Sequence, residues 1–346
     1  MPTIIVFDTE TNGLSPEIQG DKKSKKTYNY FSEYPVPEEW PRIVQFSYIV
    51  YNTDSREILY ITEKPDDIVE LKDGVTIPHE SFSKHGISLK MSRELGKPIK
   101  FHIDRFITMF ETHHVETIVA HNAKFDVSVL CAELTLLIIE SESEEEKEKY
   151  SFFLNKFLPK QKQFVKFGKE IKYYEISDTY CTLKNGNPKC KLASVVRDKE
   201  TGIPTGEIAS YYKNPKLEEA HKILFGENVN GELHNSMVDV AVTLRVFMKI
   251  AYDIDICDEG NRQSHEQIFD LIKPSDVETE DDFPLQVDLK TKTTYTRSLN
   301  SKGKKSTGTK SSNSKSEKIT RTKSSNSKGG KSRRTKRRLS KKKYNK

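Results

Sequence analysis

Close to its start the chain runs Thr3-Ile4-Ile5-Val6-Phe7 directly into Asp8-Thr9-Glu10. A short β-branched and aromatic run ended by an acid is the pattern of a buried strand. On an extended segment residues i and i+2 point to one face, so Asp8 and Glu10 are expected side by side. Two carboxylates so placed disfavour joint ionisation unless a cation sits between them. A fold built around this strand has to accommodate that charge.

The rest of the pattern suggests how. Thr11-Asn12-Gly13 is turn-forming, and 18–40, rich in Lys, Tyr and Pro, reads as an excursion with little regular structure. Segments 43–51 and 58–61 read as strands joined by a polar turn at Asn52-Thr53-Asp54. Apolar residues in 101–110 have helical spacing, and 117–120 reads as a short strand. A long helix is expected over 123–139, entered through His121-Asn122, a pair suited to capping. Segment 141–149 is almost all charged and reads as a solvated helix end or loop. A strand is expected at 173–177, with helices at 217–225 (stopped by Gly226), 236–251 and 263–272 (halted before Pro274). Three early strands followed by alternating strands and helices imply an α/β mixed sheet of about five strands flanked by helices.

Composition matters because it is uneven. Beyond about Asp288 the hydrophobic pattern disappears, and Lys-Ser-Ser-Asn-Ser-Lys occurs at both 310–315 and 323–328. Such a segment cannot bury a core and reads as disordered. From Lys290 to Lys346 there are 22 basic residues against one acid, Glu317, whereas 1–289 holds 35 basic and 50 acidic residues. The overall net charge of +6 thus joins an acidic body to a strongly basic tail. The expected organisation is a domain over 1–275 with insertions near 18–40 and 140–172, a linker over 276–289 and a basic tail over 290–346. The tail is open to three readings: a solubilising end, a nuclear-import signal around Ser332-Arg333-Arg334-Thr335-Lys336-Arg337-Arg338, or a nucleic-acid tether. Cys131, Cys181, Cys190 and Cys257 have neither disulfide-framework nor zinc spacing and read as reduced thiols of a cytoplasmic or nuclear protein, not a secreted one. No signal peptide and no run approaching ~18 apolar residues is found, so no membrane contact is expected.

Further acids stand at element ends. Asp126 falls in the first turn of the helix expected from 123, and Asp239 early in the helix from 236, with His234 just before it. With the first strand central, all five residues converge at its carboxyl end, where open α/β sheets place their sites. Hard oxygen ligands without thiolates select Mg²⁺ or Mn²⁺ over zinc. Two such ions activate a water and stabilise a leaving oxygen, and a histidine, titrating near neutrality, suits the water's proton.

These residues carry a family resemblance. Asp8-Thr9-Glu10-Thr11-Asn12-Gly13-Leu14 resembles the first motif of the DnaQ-like, DEDDh-type exonucleases. His121-Asn122-Ala123-Lys124-Phe125-Asp126 resembles the second and His234-Asn235-Ser236-Met237-Val238-Asp239 the third. His85-Gly86-Ile87 and the stretch from Asn214 to Gly226 also match features of the family. Each motif alone is weak, while three in order on the expected elements form a strong signal. The resemblance covers roughly 1–255 and leaves the tail unexplained.

It implies a ribonuclease H-like fold and 3'–5' hydrolysis of phosphodiester bonds with release of nucleoside 5'-monophosphates, on DNA in proofreading or repair. Partners would be single-stranded or frayed 3' ends and a polymerase in trans. Asp8, Glu10, Asp126 and Asp239 would hold two Mg²⁺ or Mn²⁺ ions, and His234 would be the general base. Thr9, Leu14, Asn122 and Phe125 would contact the terminal nucleotide. Ser236 departs from the family's common Ala. Plainer roles stand beside these: a turn or cap for Asp8 and Glu10, helix-end electrostatics for Asp126, a surface position for His234, and core or insert anchoring for Trp40. An exoribonuclease and an inactive nucleic-acid-binding docking module are the rival functions.

Overall fold

A computed structural model of the chain describes residues 3–18, 27–166, 169–198, 201, 203–276, 285–289 and 293–295. Its centre is a five-stranded sheet of β1 (Thr3–Thr11), β2 (Ile43–Asn52), β3 (Glu57–Ile61), β4 (Thr117–Ala120) and β5 (Thr179–Cys181). The order is β3-β2-β1-β4-β5, with β1–β2 and β2–β3 antiparallel and β1–β4 and β4–β5 parallel. This is the ribonuclease H-like arrangement that the sequence resemblance implies. β1 is therefore a central strand, with its carboxyl end beside that of β4.

Nine α-helices are found among the described residues: α1 (His79–His85), α2 (Leu89–Leu95), α3 (Ile99–Thr112), α4 (Ala123–Glu140), α5 (Glu144–Phe157), α6 (Thr182–Cys190), α7 (Leu217–Phe225), α8 (Ser236–Tyr252) and α9 (Glu266–Ile272). Alternation along β1 sorts them into two layers. Ile5 and Phe7 point into a core with Phe106 of α3, Val127 and Leu130 of α4, and Phe153 of α5. Ile4 and Val6 point into a second core with Val240 and Leu244 of α8, Ala220 of α7 and Ile268 of α9. The buried Arg245 of α8 is fully engaged, pairing in two-pronged fashion with Asp255 and donating to Glu227 and His221.

Several elements differ from the sequence reading. The charged stretch after residue 140 is a full helix, α5, whose Ser143 side chain accepts from the Glu146 N–H. Its acidic first turn complements the positive helix end, and Tyr150, Phe153 and Phe157 then bury at helical spacing. The charged start hides an amphipathic second half. The strand expected at 173–177 instead belongs to a two-stranded ribbon, Lys160–Lys166 with Lys169–Glu175. Sheet strand β5 begins only after Asp178, which turns the chain in a left-handed conformation (φ 51°). A second ribbon, Ala193–Arg197 with Pro204–Tyr212, has no counterpart in the sequence reading.

The excursion at 18–40 is tied down where it is described. Trp40 is buried and its indole N–H donates to the Tyr34 carbonyl at 2.8 Å, while the Phe31 N–H donates to Ser128 of α4 at 3.0 Å. Within 276–289, read from the sequence as a linker, Gln286–Asp288 pairs with Thr293–Tyr295. Val287 is buried there, and its N–H donates to the Lys191 carbonyl at 2.9 Å. The chain divides into Met1–Thr309 and Lys310–Lys346, and the second unit lies outside the described residues. Apart from Thr293–Tyr295, the tail over 290–346 that the sequence reads as disordered lies outside the described residues. All four cysteines are free thiols, and among the described residues no helix is long and apolar enough to cross a membrane.

Phe153 tests whether α5 is part of the core. Its ring meets Phe110 edge-on at 5.7 Å and packs on Phe157 at 5.8 Å. Phe153→Ala is expected to cost about 3–5 kcal/mol in urea denaturation. A loss under ~1 kcal/mol would show α5 to be an appendage.

Candidate active site

The carboxyl end of β1 carries the site. Asp8 and Glu10 share the face covered by α8, and their cross-strand partners on β2 are Ser47 and Gln45. Thr9, on the opposite face, meets α4. Its backbone N–H and hydroxyl both donate to Asp126 Oδ1, at 3.3 and 2.9 Å. Asp126 is 3% exposed in the first turn of α4, so this carboxylate is fixed from both backbone and side chain. Asn122 occupies the N-cap position of α4, yet its side chain does not cap the helix. The capping expected of that pair is thus not made by Asn122, which lines the cleft.

Asp239 sits in the first turn of α8. Its Oδ2 accepts the His234 N–H at 3.2 Å, whereas its Oδ1 is buried without a hydrogen-bond partner. His234 is exposed and holds a left-handed backbone (φ 64°), unusual for a residue with a Cβ. The loop is pinned beside it at Gly231, where a Cβ would lie 2.2 Å from the Leu271 carbonyl oxygen and 2.9 Å from Val238. Ligand atoms of Glu10, His234 and Asp239 all lie within 4.8 Å of one another.

A cleft of about 760 Å³ opens over these groups. It is lined by all five predicted catalytic residues and by Thr9, Leu14, Asn122 and Phe125. Leu14 is 72% exposed on its rim. Thr9 is buried, with its two donors occupied by Asp126. Lys84 and His85 of α1 also line the cleft. The Ile87 N–H donates to His85 Nδ1 at 3.0 Å, which places the proton of a neutral ring on Nε2. His85 is part of the His-Gly-Ile motif, while Lys84 had no sequence signal beyond adjacency. A second cleft of about 700 Å³, lined by Arg42, Val69, Lys100 and Glu133 among others, shares no residue with the first.

The electrostatics are unfavourable for four anions. Burial raises the pKa of Asp8 well above the ordinary carboxylate range, and Asp126, Asp239 and Glu10 push it further. Burial likewise raises Glu10, with Asp239 and Asp126 adding to the shift and Lys84 opposing it. Asp126 and Asp239 are also raised, again chiefly by burial, against the lowering effect of their hydrogen bonds from Thr9 and His234. An all-oxygen set with a buried, unpartnered Asp239 Oδ1 and a histidine at the rim fits a divalent cation of the Mg²⁺ or Mn²⁺ kind.

A sign follows for stability. A carboxyl whose pKa is raised in the folded state holds its proton longer than in the unfolded chain. The stability from this source is fully present below the unfolded pKa of ~4 and is lost as pH rises through the folded values. In EDTA the fold should therefore weaken between pH 5 and pH 8, and Mn²⁺ should restore it. Asp8→Asn should stabilise the metal-free protein at pH 8 by roughly 1–2 kcal/mol in urea denaturation. A less stable Asp8→Asn protein under those conditions would contradict the repulsion.

Residues 5–175 match the family model described as RNase_T, exonuclease. The match ends before α8, so His234 and Asp239 are joined to it by the fold alone. A search of curated proteins finds no match. Among solved structures, the chain is similar to Exonuclease I of E. coli in complex with a dT13 oligonucleotide, at 14% identity and a TM-score of 0.40, covering 74% of this chain and 42% of that one. It is also similar to a moderately thermophilic Exonuclease I from Methylocaldum szegediense, at 16% identity and a TM-score of 0.39, covering 73% and 41%. The chain thus spans less than half the length of these structures.

Proposed function

We propose, from the match of residues 5–175 to the exonuclease family model, that the chain removes nucleotides from the 3' ends of nucleic acid, DNA by the family resemblance, releasing nucleoside 5'-monophosphates. The observation that carries this reading is the convergence of Asp8, Glu10, Asp126, Asp239 and His234 from three separate elements on one cleft. Like charges are not gathered in a buried place for stability. They are gathered to be neutralised by something that binds.

Asp8, Glu10, Asp126 and Asp239 would hold two divalent cations. Once bound, these supply charge neutralisation at the scissile phosphate and lower the pKa of a water. The remaining work belongs to the chain. Thr9 keeps Asp126 turned toward Asp8 through its two donated hydrogen bonds. The backbone of His234 holds Asp239 through its N–H, leaving the imidazole at the cleft rim to take the proton of the attacking water. Lys84, whose charge is felt at Glu10, offers a cation to the phosphate of the substrate. Leu14, exposed on the rim, would wedge against the terminal base, with Phe125 and Asn122 shaping the pocket around the sugar.

The test is degradation of matched single-stranded DNA and RNA, 3'-blocked and unblocked, with Mg²⁺, Mn²⁺ or EDTA. The expected result is a ladder shrinking from free 3' ends only, present with metal and absent with EDTA. Asp8→Ala should lower the rate by ~10³-fold and His234→Ala by ~10²-fold or more. Comparison of the two polymers shows which sugar is preferred. Failure to cleave either polymer with any metal, while binding persists, would favour the inactive docking module.

A further inference from the structure

Four buried polar groups behind the carboxylates do work that neither the motifs nor the family match assigns. Gln45 and Ser47 lie on β2 directly across from Glu10 and Asp8. Cross-strand partners share a face, so these two side chains stand beside the carboxylates under the start of α8. Ser47 Oγ is 2.5 Å from Ser236 Oγ, and the Ser236 N–H donates to Gln45 Oε1 at 3.1 Å. Gln45 Nε2 in turn donates to Asp67 Oδ2 at 2.6 Å, and the Ser47 hydroxyl lies 3.3 Å from the same oxygen. Gln45, Ser47, Asp67 and Ser236 are 3%, 0%, 1% and 0% exposed. Asp67 is itself held against β2, where its carbonyl accepts the Phe46 N–H at 2.8 Å.

An amide has one donor end and one acceptor end. By taking the NH₂ of Gln45, Asp67 leaves the carbonyl oxygen facing Ser236, where it accepts one of the orphan N–H groups of the first turn of α8. Ser236 is three residues before Asp239 and two after His234. The network therefore anchors the turn that carries both onto the rung of β1–β2 that carries Asp8 and Glu10. The geometry points to Asp67 and Gln45 as positioning residues that hold Asp239 within ligand distance of Glu10. This rests on the metal-dependent reading of the site. Ser236, where an Ala is common in the family, lets this chain add the Ser47 contact.

The full-length chain is compared with Asp67→Leu, Gln45→Met and Asp67→Asn. Asn keeps an oxygen that accepts from Gln45 Nε2, whereas Leu and Met break the orientation. Mn²⁺ binding, read from the electron paramagnetic resonance signal of the free ion, should weaken about tenfold in Asp67→Leu and stay within ~3-fold in Asp67→Asn. On a single-stranded oligonucleotide, kcat should fall about tenfold in Asp67→Leu with KM within ~2-fold. Gln45→Met keeps the volume and carries the same expectation where Asp67→Leu does not fold. Wild-type Mn²⁺ affinity in a folded Asp67→Leu or Gln45→Met chain would overturn the inference. So would an Asp67→Asn chain that loses as much as Asp67→Leu. Binding is read without turnover, so a chain that binds Mn²⁺ but cleaves nothing overturns the exonuclease reading and leaves this comparison decisive.

Discussion

Mutual repulsion among four carboxyl groups at the end of one strand is the constraint around which the domain is arranged. Asp8 and Glu10 are set by the two-residue period of β1, on a strand paired on both edges and covered on both faces. Asp126 arrives from α4 on one face and Asp239 from α8 on the other. Burial raises all four carboxyls, and proximity adds to the shift for Asp8 and Glu10 most directly. Such a cluster is stable only if rigid elements impose it or a cation relieves it.

The layers supply the rigidity. On one side Thr9 clamps Asp126, and Phe31 from the excursion bonds to Ser128 two residues further along α4. On the other, the Gln45–Asp67 network fastens the first turn of α8, and Arg245 ties the middle of that helix to Asp255 and Glu227. Thr9 and Asp126 border the cleft, whereas Gln45, Asp67 and Arg245 are not among its lining residues. Within the cleft, Asp239 Oδ1 and His85 Nε2 are buried without a hydrogen-bond partner. A buried carboxylate oxygen left free to face the cleft is what a cation-binding centre needs.

The sequence disclosed the site better than its surroundings. Asp8, Glu10, Asp126, His234 and Asp239 were legible because motif, strand period and helix start coincide at each of them. The buried β1 and β2, together with α4, α7 and α8, were legible from long apolar periodicity. α5 was obscured because its first turns are nearly all charged, and its apolar side begins only at Tyr150. β5 was misplaced by a few residues, because the more strand-like 169–175 pairs with its own neighbour and leaves Thr179–Cys181 to the sheet. Gln45 and Ser47 were missed although they left a trace: two polar residues at alternate positions in the otherwise apolar run of β2. The dual donation from Thr9 to Asp126 left none, since it depends on how α4 meets the far face of β1.

The central claim is that the carboxyls stay partly protonated until a cation replaces their protons. Calorimetric titration of the metal-free chain with Mn²⁺ at pH 6.5, repeated in buffers of different ionisation enthalpy, counts the protons released on binding. Release of about one proton or more, lost in Asp8→Asn, is the predicted result. Tight binding with no proton release, or no binding at all, would contradict the account.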